Sequence, residues 1–91
     1  MAALSKDHSR LATSAYRDLR INIWSLENEQ AGKLFKILHG PKRSICCIAF
    51  SNNDSSIIAA GDESGLTCIW QLSQEETFAA PIEQTKANLP W

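Results

Sequence analysis

A chain of 91 residues, 44% apolar and 21% charged, has the make-up of an ordinary globular protein and is long enough for one small domain at most. A formal net charge of −1 argues against any general attraction to nucleic acid or to a membrane surface. No apolar run is long enough to cross a bilayer, and MAALSKDHSR lacks the apolar core of a signal peptide, so the expected location is cytoplasmic or nuclear.

In chain order, short apolar runs alternate with polar breaks. Met1–Leu4 reads as the end of a strand and Ser5–Ser9 as a turn. Arg10–Ala15 and Leu19–Leu26 read as strands joined by Tyr16–Asp18. Glu27–Ala31 is polar and fits a loop or a helical turn; Gly32–Leu38 is the next strand, whose Lys33 and Lys36 suit an exposed edge. Gly40-Pro41 is a turn signal, because proline has no N–H to give a ladder. Then come Ile45–Phe50, Ile57–Ala60 and Leu66–Trp70, each too short for a stable helix and rich in residues that suit strands. The breaks between them, Ser51–Ser56 and Gly61–Gly65, are built from Asn, Asp, Ser and Gly, which favour turns. Ser73–Glu76 is a polar connection, Thr77–Ile82 is a candidate outer strand, and Glu83–Trp91 is a tail without a clear pattern.

The chain repeats itself. Trp70 follows Trp24 by 46 residues. At that offset Ser5 falls on Ser51, Ile23 on Ile69 and Leu26 on Leu72, with no gap required. The spacing is close to the length of a four-stranded repeat unit. The fold class expected is therefore all-β.

LHGPKRSICCIAFSNNDSSIIAAGDESGLTCIWQL resembles a WD repeat, the unit of β-propeller blades. Leu38 and Gly40 stand at the end of the family's outer strand and at the glycine of its Gly-His pair; Trp70 stands at its signature tryptophan. The resemblance implies two adjacent antiparallel blades of an incomplete, unclosed propeller. It divides the chain into a partial first blade at 1–38 lacking most of its inner strand, a second blade at 39–82, and a tail at 83–91. A propeller needs four to eight blades to close and a repeat array about three units to be stable. The chain therefore reads as part of a larger protein, or as one whose uncovered blade faces self-associate or whose missing blades a partner supplies.

The family often carries a hydrogen-bonded set of His, Ser or Thr, Asp and Trp. The second copy keeps only Trp70, with Pro41, Ala60 and Ser64 in the other places. The first copy keeps Ser14, Asp18 and Trp24. Ser14, Asp18, Trp24 and Trp70 are therefore expected to be structural residues of the repeat.

No nucleophile, acid–base pair or metal-ligand spacing surrounds His8, His39 or Ser44, and Gly61–Gly65 lacks the lysine of a phosphate loop. Neither enzymatic activity nor a cofactor or metal is expected. Cys46, Cys47 and Cys68 make a poor disulfide framework and read as reduced cysteines packed in a sheet. The resemblance implies instead a non-catalytic protein–protein interaction scaffold. In such propellers the loop before the inner strand and the loop between the second and third strands share one rim. Those loops carry Tyr16, Arg17, Lys42 and Arg43, the residues expected to contact a protein partner, together with Asp62 and Glu63. The competing expectation is a poorly folded, nonfunctional truncation of a larger WD-repeat protein. The uncharged run SICCIAF adds a tendency to associate.

Overall fold

The computed structural model describes residues 1–15, 19–27, 31–73 and 77–86. Among the described residues the regular elements are all strands: β1 (Ala2–Leu4), β2 (Arg10–Thr13), β3 (Ile21–Ser25), β4 (Leu34–Leu38), β5 (Ile45–Phe50), β6 (Ile57–Asp62), β7 (Leu66–Gln71), β8 (Phe78–Ala79) and β9 (Glu83–Lys86). They form two sheets, ordered β1-β2-β3-β4-β8 and β5-β6-β7-β9. All pairs are antiparallel except β4–β8, which is parallel.

Local chemistry closes the hairpins. In the β1–β2 turn Asp7 Oδ1 accepts bonds from Ser5 Oγ at 2.9 Å, Ser9 N at 2.9 Å and Ser9 Oγ at 2.6 Å. The bonds from Ser9 and Ser5 hold the Asp7 carboxyl down at about 2. In the β5–β6 turn Asp54 Oδ1 accepts from Ser56 N at 2.9 Å and Ser56 Oγ at 2.6 Å. Each carboxylate thus does for its turn what a backbone carbonyl would do.

The strand period of two sorts the side chains onto faces. On one face of the first sheet, Ala3, Ala12, Ile23 and Lys36 lie in one cross-strand row, and Ile21, Leu38 and Ala79 in the next. On one face of the second sheet, Phe50, Ile58 and Trp70 form a row beside Ile48, Ala60 and Cys68. These two faces meet and make a single core. Trp70, Ile58, Ile21, Ile23 and Leu38 are completely buried there. At about 25 cal/mol per Å² of apolar surface, each contributes on the order of 2 kcal/mol or more.

The structure differs from the sequence reading in five places. The outer strand of the second sheet is Glu83–Lys86, inside the expected tail, so that sheet runs past residue 82. Phe78–Ala79, inside the segment expected to supply that strand, joins the first sheet, with Ile37 N donating to Thr77 O and His39 N to Ala79 O. β4 is therefore an interior strand. Its Lys36, expected at an exposed edge, is only 3% exposed between the sheets, because it stands opposite Ile23 and two residues from Leu38 and so shares their core face. The repeat also needs a one-residue gap in its first turn, offset by one extra residue between β2 and β3. Leu11 pairs with Trp24 but Ile58 pairs with Trp70, since the first hairpin turn, Ser5–Ser9, is one residue shorter than Ser51–Ser56. Finally, of the three free cysteines only Cys68 is packed inside, while Cys46 and Cys47 are exposed beside the bulge of β5.

Candidate functional site

The loop before β5 and the loop between β6 and β7 meet at one end of the second sheet, and Asp62 ties them together. As the last residue of β6 it lies on the core side, opposite Ile45, and is 4% exposed. Its Oδ2 accepts from the backbone N–H of Lys42 at 2.8 Å and of Arg43 at 3.2 Å. Its Oδ1 accepts from Ser64 N at 2.8 Å, Ser64 Oγ at 2.5 Å and Leu66 N at 3.2 Å. Burial by itself pushes this carboxyl up, but the bonds from Ser64, Lys42 and Leu66 outweigh it and leave the group below the usual carboxylate value. Ser64 stands where the family carries its aspartate, so the carboxylate enters two residues early and uses Ser64 as a donor.

Two glycines let this end close. Gly65 adopts φ 88° to turn the chain into β7. Gly40 adopts φ 141°, and a Cβ there would come within 2.6 Å of Pro81 Cγ. Pro41 is buried, and Lys42 and Arg43 follow with exposed side chains. Glu63 N donates to Ser44 O at 3.0 Å, which clamps the two loops a second time. The result is a pair of cations projecting from a backbone held by a buried anion, with the exposed Glu63 alongside.

Of the sequence-predicted contact residues, Lys42 and Arg43 are thus adjacent and outward-facing; Tyr16 and Arg17 lie outside the described residues, as does Asp18. Among the expected structural residues, Trp70 fills the core and its Nε1 donates to His39 O at 3.0 Å. The Nε1 of Trp24 donates to Thr13 Oγ1 at 2.9 Å, so Thr13 takes the part expected of Ser14. This follows from the one-residue gap, which places Thr13 opposite Asn22 just as Ala60 is opposite Cys68.

At the other end of the sheets, the β1–β2 and β5–β6 turns border a polar cleft of about 560 Å³. Asp7, Asp54 and Glu27 line it, and so does Arg10, which reaches Glu27 at 4.0 Å and lies 4.2 Å over the Phe35 ring. Sequence reasoning missed this cleft, since it exists only once two turns 46 or 47 residues apart are brought side by side. Among the described residues no group of three or more His, Cys, Asp or Glu side chains could hold a metal ion.

Comparison with known proteins agrees with this architecture. Residues 32–71 match the family model described as WD domain, G-beta repeat. Human angio-associated migratory cell protein is 34% identical over 74 residues, covering 81% of this chain and 16% of that protein. Histone-binding protein MSI1 of Saccharomyces cerevisiae is 32% identical over 72 residues, covering 78% of this chain and 17% of that protein. The chain therefore spans about a sixth of the length of these curated relatives. Among solved structures, Kluyvelomyces marxianus Hsv2 superposes on 100% of this chain and 29% of its own with a TM-score of 0.83 at 15% identity. The β-propeller domain of Myceliophteria thermophila Cps50 (Swd1) superposes on 98% of this chain and 24% of its own with a TM-score of 0.74 at 16% identity. With two sheets that pack as neighbouring blades, a tryptophan at the same place in each, and a WD-repeat match that spans the join, the chain belongs to the WD-repeat family and forms two adjacent blades of an unclosed β-propeller.

Proposed function

We propose that the chain serves as part of a non-catalytic protein–protein interaction scaffold, and that the rim around Lys42 and Arg43 contacts the partner. The observation that carries this reading is the anchoring of both backbone amides by the buried Asp62 carboxylate. Two exposed cations held on a fixed backbone lose little conformational freedom on binding, which favours them as contact residues for an acidic segment of a protein. Tyr16 and Arg17 are proposed to extend the same surface, on the strength of their residue types and their place in the corresponding loop of the first blade. MSI1 is named for binding histones, which makes protein binding a fitting class of function here; the partner of this chain is a separate matter. Free thiols at Cys46, Cys47 and Cys68 fit the proposed cytoplasmic or nuclear location, where thiols stay reduced.

Affinity capture followed by mass spectrometry tests the reading. The wild-type chain and a Lys42→Glu/Arg43→Glu variant of unchanged circular dichroism are compared. Proteins retained by the first and lost by the second are expected. An identical set on both would refute the rim as the contact surface.

A further inference from the structure

The core between the blades has a chemical duplicate on the outside. In the shared interface, Ala3, Ala12 and Ile23 of the first blade pack against the face of the second blade that carries Phe50, Ile58 and Trp70. Each set has a counterpart on the blade where it remains uncovered. Leu4, Leu11 and Trp24 form one cross-strand row on the open face of the first blade, matching Phe50, Ile58 and Trp70 strand for strand. Leu34 extends that row across β4. Ala49, Ala59 and Ile69 form one row on the open face of the second blade, matching Ala3, Ala12 and Ile23.

The exposures follow the same division. Trp70 and Ile58 are 0% exposed, whereas Leu4 is 48% and Leu34 44% exposed, and Trp24 and Leu11 are half-buried. Ala49 is exposed, and Ala59 and Ile69 are half-buried. Trp24 already satisfies its N–H through Thr13, so this face can be covered without leaving a buried donor unpaired.

We propose that these two open faces bind each other between copies of this chain, head to tail, repeating in trans the interface that joins the two blades within one copy. The occupant of each open face is a second copy. The contact is heterologous, so it propagates until it closes. Each copy brings two blades and propellers close with four to eight, so closure takes two, three or four copies. The surfaces concerned are separate from the Lys42–Arg43 rim.

Light scattering on eluting size-exclusion peaks tests it. The wild-type chain is expected as a discrete species of two, three or four copies that dissociates on dilution. Leu4→Lys spoils only the first blade's open face and Ala49→Lys only the second's. Each variant alone is expected to be monomeric with the strand circular dichroism of the wild type. Mixed in equal amounts, they are expected to form a 1:1 dimer and nothing larger, since each supplies the intact face the other lacks. Leu34→Lys and Ile69→Lys repeat the mixing with a second pair should either first variant fail to fold. A wild-type chain that is monomeric or irregularly aggregated would overturn the proposal, as would variants that stay assembled. A mixture that stays monomeric would overturn it too, because it would exclude face-to-face complementarity. A further blade of a longer polypeptide, or a different protein, as the natural cover of these faces would give the monomeric or aggregated result.

Discussion

Asp62 is the residue on which most of the rim depends. Five donors converge on one carboxylate at 4% exposure, four of them backbone N–H groups, of Lys42, Arg43, Ser64 and Leu66. Asp62→Ala leaves those donors to find water or go unpaired, at a cost of roughly 1.5–3 kcal/mol or more for bonds to a charged group. Urea titration followed by tryptophan fluorescence is expected to show a lower midpoint of that order, and a midpoint equal to wild type would contradict the role given to Asp62. The same group sets a dependence on pH. Its folded-state value is depressed, so its contribution is fully present above the unfolded value of about 3.9 and is lost as pH falls through the folded value. Asp7, held at about 2, acts in the same direction and over the same side of the scale. Stability is therefore expected to fall on acidification below about pH 5, and to fall less steeply in Asp62→Asn, whose amide does not titrate. Equal slopes in the two chains would assign the acid sensitivity elsewhere. Tryptophans give a second residue-scale contrast. Trp70→Ala is expected to cost roughly 3–5 kcal/mol or to prevent folding, and Trp24→Ala less, because Trp24 is half-buried on an open face. Lys42→Ala/Arg43→Ala keeps the backbone bonds to Asp62 and is expected to change stability by under about 0.5 kcal/mol. Chemical denaturation of the three variants ranks them directly.

At the scale of elements, what is local was legible and what is distant was not. The strands of the two hairpins and their turns follow from neighbouring residues: apolar runs such as Ile45–Phe50, and turns closed by Asp7 and Asp54. β8 and β9 depend on partners far along the chain. Phe78–Ala79 is two residues long and pairs in parallel with β4, so no hairpin spacing announces it. Glu83–Lys86, EQTK, has no apolar member and is a strand because β7 offers it a ladder. Lys36 looked like edge chemistry, and only the pairing of β4 with β3 and β8 reveals that it lies inside, on the face of Ile23 and Leu38. The rim was legible as charged loop residues, Asp62 among them, but its part as the anchor was not, since sequence shows neither its burial nor its donors. The polypeptide between β7 and β9 also clasps the blades together. Phe78 stacks on His39 with ring centroids 4.4 Å apart, and Pro81 lies against Gly40. Gly40→Ala is expected to destabilise by more than about 1 kcal/mol, combining an unfavourable φ with the 2.6 Å contact to Pro81 Cγ. Removing the Pro81 ring removes the clash but not the backbone strain. Gly40→Ala/Pro81→Ala is therefore expected to be more stable than the sum of the single effects, and strict additivity in this double-mutant cycle would show that the two residues do not press on each other.

At the scale of the whole molecule, the single core decides how the chain unfolds. Neither blade owns a core of its own: Ile21, Ile23 and Leu38 come from one sheet and Ile58, Cys68 and Trp70 from the other, and all are buried against each other. A blade that lost its neighbour would expose these side chains together, at on the order of 1.5–3 kcal/mol for each large one, and such a loss is comparable with the entire stability of a small domain. The clasp through β8 adds covalent continuity, because a segment between two strands of the second sheet is hydrogen-bonded into the first. The two blades are therefore expected to unfold as one unit. Trp24 and Trp70 are natural probes, one in each blade. With Trp91 replaced by Phe in both, Trp24→Phe and Trp70→Phe leave a single tryptophan reporting on the second and the first blade respectively. Because each substitution also shifts stability, each variant carries its own control: its fluorescence transition in urea is compared with its far-ultraviolet circular dichroism, which reports on both blades. Coincident transitions within each variant are the expected result. A fluorescence change that precedes the circular dichroism change in one variant and follows it in the other would show that each blade melts by itself, and that the shared core contributes less than its burial indicates.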